Sequence, residues 1–204
     1  IVTVRLTEHY LLMVINIKMN LQASSTINSR SVEQVESLSF IEKFSCIMEG
    51  NINLKSDIGV ILPTYCEAAN IEQLIKEIEN LRQKMSILVM DDSSPDGTAN
   101  IVRSLQKKYH NILLLVRPKK SGLGTAITDG FQTFLALKNP PKCIITMDAD
   151  YSHNPKDIIR LISALEGKCD LVIGSRYCFQ GKTVEWSVMR RAISKVANLV
   201  ASLL

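Results

Sequence analysis

The sequence predicts an α/β fold, a mainly parallel sheet flanked by helices. Three observations lead there. From Asp57 onward, short apolar runs alternate with amphipathic stretches. The runs are continuously apolar, as strands covered on both faces require. Each run ends at turn-forming or charged residues, and the stretch after it carries apolar positions at helical spacing.

The elements follow in order. Residues 58–62 (Ile-Gly-Val-Ile-Leu) form a first strand, broken by Pro63. Asn70 stands where a helix N-cap is expected, and Ile71, Leu74, Ile75, Ile78 and Leu81 share one face of the helix that follows. Residues 87–90 give a second strand ending at Asp91-Asp92, the turn Ser93-Ser94-Pro95-Asp96-Gly97-Thr98 follows, and a helix spans 99–109. Residues 112–116 form a third strand, Gly122-Leu123-Gly124 a loop, and 126–137 a helix. A fourth strand at 143–147 ends at Asp148, followed by a helix over 155–165. Residues 171–173 make a fifth strand closing on Gly174-Ser175-Arg176, and an amphipathic helix runs from 186 to 204. Right-handed crossovers bring the carboxyl ends of such strands to one edge of the sheet, where open α/β folds bind ligands.

Composition sets the bounds. A chain of 204 residues, 46% hydrophobic and 22% charged, suits one globular domain and excludes global disorder and coiled coils. Residues 1–55 lack periodicity and are expected to be a poorly ordered N-terminal extension; 56–204 form the domain. The net charge of +4, from 24 basic against 20 acidic residues, gives no basic stripe and no nucleic-acid partner. Cys46, Cys66, Cys143, Cys169 and Cys178 are scattered, without a CxxC, and read as free thiols in a reducing compartment. The apolar run at 10–15 falls far short of the ~20 residues of a spanning helix.

The chemistry concentrates past the strand ends. Tyr65 and Glu67, Asp91 and Asp92, Asp148 and Asp150, and Arg176 are far apart in sequence and convergent in this fold. Any one of them alone reads as an ordinary solvated loop residue. Asp148-Ala149-Asp150 offers two carboxylates to a hard divalent cation that keeps positions open for phosphate oxygens. An EF-hand loop counted from Asp148 would need Gly at His153 and Glu at Ile159, so it is excluded. Asp91-Asp92 is suited either to accept hydrogen bonds from a ribose or base, or to open the turn that follows. Gly122-Leu123-Gly124 lacks the third glycine of a dinucleotide fingerprint, with Ile127 in its place, and no Walker-type loop occurs. On the final helix Arg190 and Ser194 lie one turn apart, a pair able to grip a phosphate, while the opposite side is apolar.

Leu62-Pro63-Thr64-Tyr65-Cys66-Glu67, Asp91-Asp92-Ser93-Ser94-Pro95-Asp96-Gly97-Thr98, Gly122-Leu123-Gly124-Thr125-Ala126, Met147-Asp148-Ala149-Asp150-Tyr151-Ser152-His153-Asn154-Pro155 and Gly174-Ser175-Arg176-Tyr177 stand in an order and spacing that resembles the dolichyl-phosphate mannosyltransferases, a branch of family-2 glycosyltransferases. The resemblance runs from about Ile58 to the end. It implies a GT-A, Rossmann-like glycosyltransferase fold with its C-terminal part truncated in this chain. It also implies transfer of mannose from GDP-mannose to dolichyl phosphate with inversion, at the cytosolic face of the endoplasmic reticulum membrane, for protein glycosylation and GPI-anchor synthesis. By the same resemblance Pro63, Tyr65 and Glu67 hold the guanosine end, with Met90 and Asp92 beside the base and ribose. Asp148, Ala149, Asp150 and Arg176 contact the nucleotide sugar, and Asp148 and Asp150 bind Mg or Mn. Arg176, Arg190 and Ser194 position the acceptor phosphate, Asp150 and Arg176 are catalytic, and small membrane subunits tether the enzyme. Some relatives have a Gln as a further metal ligand where this chain has Ser152. A sister enzyme using UDP-glucose would keep the D-x-D, and a nucleotide-binding fragment without turnover would keep the fold.

Overall fold

A computed structural model describes residues 2–5, 12–16, 46–51, 53, 55–165, 169–175 and 189. Eight strands, β1 (Val2–Arg5), β2 (Leu12–Asn16), β3 (Ile47–Gly50), β4 (Ile58–Thr64), β5 (Met85–Asp91), β6 (Ile112–Val116), β7 (Cys143–Thr146) and β8 (Leu171–Ser175), form one sheet. Its spatial order is β1-β8-β2-β7-β4-β5-β6-β3. Four helices are described: α1 (Ile71–Asn80), α2 (Thr98–Gln106), α3 (Leu123–Leu135) and α4 (Asp157–Leu165). Among the described residues no helix is long and apolar enough to cross a membrane.

β7, β4, β5 and β6 are parallel neighbours, with Val60 level with Ile87 and with Ile145. Strands are added outward from β4 through β5 to β6. The chain then crosses back through α3 to place β7 on the other side of β4, which makes the β4/β7 boundary the topological switch point. Alternation along each strand divides the core. Val60, Leu62, Ile87, Val89, Ile112, Leu114 and Ile145 face α1, α2 and α4, whereas Ile61, Leu88, Met90, Leu113, Leu115 and Ile144 face α3. Both faces being covered explains the continuous apolar runs.

Pro63 does not break its strand. β4 continues through Pro63, level with Met90, to Thr64. The carbonyl of Ile61 accepts the N–H of Met147 on the β7 side, and β4–β7 pairing stops at Ile61 level with Thr146. The proline nitrogen, two residues on and facing the same side, lies beyond the ladder and costs it no hydrogen bond.

The N-terminal zone also differs from expectation. Residues 1–55 contribute three described strands: β3 pairs antiparallel with β6, β1 parallel with β8, and β2 runs antiparallel between β7 and β8. Each satisfies a ladder that would otherwise be an open edge. β3 is further fixed by Arg103 of α2, whose guanidinium donates to Glu49 at 2.7 and 2.9 Å. That hydrogen bond holds the Glu49 carboxyl below its usual range.

Helix α3 presses directly on β4. A Cβ at Gly130 would stand 2.8 Å from Cγ2 of Ile61, a buried core residue, while one at Gly124 would meet nothing within 4 Å. Gly130→Val should therefore lower stability by about 1–3 kcal/mol through overpacking. Gly124→Ala should raise it by ~0.5 kcal/mol through helix propensity and reduced chain entropy. Denaturant midpoints of the two variants check this pair of opposite signs.

Candidate active site

The loop after β4 is built from backbone N–H groups that need partners, and the loop after β5 supplies them. Cys66 N–H donates to Ser94 Oγ at 2.9 Å, Glu67 N–H to Thr98 Oγ1 at 3.0 Å, and Ala68 N–H to Asp96 Oδ2 at 2.9 Å. These acceptors are themselves held. Ser94 Oγ donates to Asp91 Oδ1 at 2.6 Å, its N–H to Asp91 Oδ2 at 2.9 Å, and Thr98 Oγ1 donates to Asp96 Oδ1 at 2.6 Å. The Thr98 bond holds the Asp96 carboxyl below its usual range. Asp91 is fully buried and also accepts from Thr64 Oγ1 at 3.1 Å. The D-x-x-S-x-D-x-T pattern is thus a clasp that shapes the segment from Thr64 to Ala68, and Gly97, at φ 90, makes the turn into α2.

Asn70 makes no side-chain cap on α1. Its amide donates to Glu67 Oε2 at 2.9 Å, and the Glu67 carbonyl accepts the N–H groups of Asn70 and Ile71. The expected cap residue therefore orients Glu67 instead.

Asp92 is buried and committed. Its Oδ1 accepts from Arg117 Nε at 2.5 Å and its Oδ2 from Ser121 N–H at 3.1 Å. Arg117, only 3% exposed, also donates to Asp129 at 3.0 Å, Thr125 Oγ1 at 2.9 Å and the Gly122 carbonyl at 3.2 Å. Burial opposes its charge, but the bonds to Asp92 and Asp129 outweigh burial and hold the guanidinium above its ordinary value. The Met90 side chain lies fully in the α3-side core, and the Met90 carbonyl accepts from Thr64 Oγ1 at 3.3 Å.

Across the switch point, Asp148 follows β7. It is half-buried; burial, then the charges of Asp150 and Glu67, push its carboxyl above the usual range. Glu67 and Asp150 thus lie near enough to Asp148 for their charges to act on it. Ala149, between the two aspartates in sequence, is buried, and exposed Asp150 accepts the Ser152 N–H at 2.9 Å. Two further residues fix this loop. The Asp148 N–H donates to Nδ1 of buried His153 at 3.0 Å, and Tyr151, at φ 59, reaches Glu77 of α1. Burial, reinforced by Glu77, raises the Tyr151 hydroxyl to about 12. Among the described residues no three His, Cys, Asp or Glu side chains converge as a complete ion cage. A cation held by Asp148 and Asp150 would complete its shell with ligand or water oxygens, and it would relieve the repulsion recorded at Asp148.

Pro63 is half-buried and Tyr65 exposed at the mouth of this edge, where Lys120 lies over the Tyr65 ring. Arg176, Arg190 and Ser194 lie outside the described residues. Sequence reasoning missed the clasp residues Ser94, Asp96 and Thr98, the hub Arg117, and His153. The one signal for Arg117 was a cation closing the apolar run at 112–116.

A switch-point site with a D-x-D loop after one strand and a shaped P-T-Y-C-E loop after its neighbour defines the class: a GT-A glycosyltransferase. Residues 59–201 match the family model described as glycosyl transferase family 2, and the chain belongs to that family. It is 38% identical over 145 residues to the dolichol-phosphate mannosyltransferase of Pyrococcus furiosus, covering 70% of this chain and 40% of that protein. It is 36% identical over 140 residues to the polyprenol monophosphomannose synthase of Mycolicibacterium smegmatis, covering 68% and 52%. The chain therefore spans about half the length of these relatives, or less. Among solved structures, a mannosyltransferase from Pyrobaculum calidifontis, determined with GDP-Man and Mn2+, aligns at TM-score 0.45 and 18% identity, covering 66% of this chain and 40% of that one.

Two outcomes follow from the electrostatics. Arg117→Ala leaves Asp92 and Asp129 facing one another without their cation and should cost about 3–5 kcal/mol in denaturant unfolding. Asp148→Asn should stabilise the protein at pH 7 in the presence of a chelator. The raised folded-state pKa means that the ionised form penalises folding above that pKa, and the penalty fades as the carboxyl protonates. Melting curves from pH 7 down to about pH 3, below the unfolded value near 3.9, should show the gain disappearing.

Proposed function

We propose that this chain is the catalytic part of an enzyme that transfers mannose from GDP-mannose to dolichyl phosphate with inversion, giving dolichyl β-D-mannosyl phosphate for protein glycosylation and GPI-anchor synthesis. The observation that carries the reading is the placement of Asp148 and Asp150 after β7, beside the end of β4 that leads to Glu67, so that the charges of Asp150 and Glu67 act on Asp148. It gains support from the match to two proteins named for mannosyl transfer to polyprenol phosphates. On this reading the enzyme works at the cytosolic face of the endoplasmic reticulum membrane, with small membrane subunits as tethers.

An oxygen of the acceptor phosphate attacks the anomeric carbon as the bond from that carbon to the GDP oxygen breaks, and GDP leaves with the electron pair. The attacking oxygen is already anionic near neutral pH, so no protein base has to remove a proton. The chain's task is to position two anions and neutralise charge. Pro63, near the end of β4, and Tyr65 and Glu67, on the loop that the Asp91 clasp holds, line the guanosine end. Met90 and Asp92, assigned to the base and ribose, act from beneath: Asp92 holds the β6–α3 loop through Arg117 and Ser121, and Met90 lies in the core that α3 covers. Asp148 and Asp150 would hold Mg or Mn, which supplies Lewis-acid offset of the charge developing on the departing diphosphate. Arg176, with Arg190 and Ser194, is assigned the acceptor phosphate.

Calorimetric titration of GDP-mannose against UDP-glucose, with and without Mn, tests the donor half. GDP-mannose should bind in a metal-dependent manner and in preference to UDP-glucose, and Asp150→Ala should abolish the metal dependence. A preference for UDP-glucose, or metal-dependent affinity that survives Asp150→Ala, would overturn the assignment. For the acceptor half, Arg190→Ala should weaken use of dolichyl phosphate about ten- to a hundredfold while sparing donor binding. Equal loss of both refutes that division.

A further inference from the structure

Tyr65 is 40% exposed, yet its ring face is occupied: Nζ of Lys120 lies 3.7 Å from the ring centroid. The two side chains come from the loops after β4 and β6, which flank β5, and both loops are tied, directly or through Ser94, to the buried carboxylates of Asp91 and Asp92. Next to Tyr65, Thr64 Oγ1 is on Asp91 and Cys66 N–H is on Ser94. Next to Lys120, Ser121 N–H is on Asp92 Oδ2 and the Arg117 fork holds the Gly122 carbonyl. The stem of Lys120 is therefore placed by the fold, and its tip moves on a flexible four-carbon chain.

Among the described residues Lys120 forms no ion pair, although the same sheet edge carries Glu67, Asp148 and Asp150. Its charge rests on a π face, which leaves those carboxylates for another cation. An exposed cation–π contact is weak, and stacking of a nucleobase on an aromatic ring is stronger. A base arriving at Tyr65 displaces the ammonium, and the diphosphate joined to that base offers it a better partner.

We propose that Lys120 is a positioning residue for the donor's nucleoside diphosphate: its ammonium covers the Tyr65 face in the unliganded chain and moves to the diphosphate when the base takes that face. The inference rests on the reading of Tyr65 as part of the donor site. It goes beyond that reading by assigning a described cation to the diphosphate and a resting place to that cation.

The test is calorimetry of guanosine and of GDP, at fixed Mg and at low and high salt, on the full chain and its Lys120→Ala and Lys120→Arg variants. Lys120→Ala should weaken GDP about three- to tenfold, leave guanosine no weaker, and flatten the salt dependence of GDP binding. Lys120→Arg should keep the preference for GDP over guanosine near that of the unsubstituted chain. An unchanged preference in Lys120→Ala, with both ligands binding the unsubstituted chain, overturns this inference alone; equal weakening of both ligands does the same. Failure of the unsubstituted chain to bind either ligand overturns the donor-site reading and this inference with it.

Discussion

The carboxylate of Asp91 is removed from water at the end of the central strand β5, and a buried charge in that position has to be met by donors. Thr64 on one side and the Ser94 hydroxyl and N–H on the other meet it. Once Ser94 is committed to Asp91, its oxygen faces Cys66 N–H, and Thr98 and Asp96 continue the same pairing to Glu67 and Ala68. A single buried charge thereby fixes two adjacent loops against each other, and those loops hold Tyr65 and Glu67 over the switch point. Hydrogen bonds to an ionised acceptor are the strong ones, and each member of this set has a partner.

Charge along the carboxyl edge is divided into two kinds. Asp91 and Asp92 are given partners within the fold, the first by hydroxyl and amide donors and the second by Arg117 and the Ser121 N–H. Glu67, Asp148 and Asp150 are left close enough for their repulsion to be felt at Asp148. The first kind builds the scaffold and the second stores unfavourable electrostatic energy at one place. On the proposed reading, that division lets a chain whose overall charge is small offer one place to a cation and an anionic diphosphate.

Much of the fold was legible because the period of the apolar residues carries it. The strands at 58–62, 87–90, 112–116 and 143–147 sit within two residues of the observed limits at each end, since both faces of each are covered and no charged residue interrupts them. Pro63 misled because a proline is costly only where its N–H would enter a ladder, and ladder ends are set by a neighbouring strand. β2 was not legible: the apolar run at 10–15 reads only as too short for a spanning helix, and its place between β7 and β8 depends on pairing more than a hundred residues away. In the candidate site, residue types pointed to the carboxyl edge of the sheet. They did not separate Asp91 and Asp92, which the fold consumes, from Asp148 and Asp150, which it leaves at the edge, because that separation is made by burial.

The same distinction bears on what the chain does chemically. The donors around Asp91 and the guanidinium on Asp92 commit those two carboxylates to holding the loops in place. A carboxylate meant to receive a cation gains from the opposite arrangement, with few internal partners and like charges nearby, because binding then relieves strain already present. Asp148 meets that description, and the backbone that carries it is pinned by His153 rather than by a bond to its carboxylate. Rigidity and unsatisfied charge are supplied by different atoms of one residue, so the loop stays in place while its oxygens remain ready for a ligand.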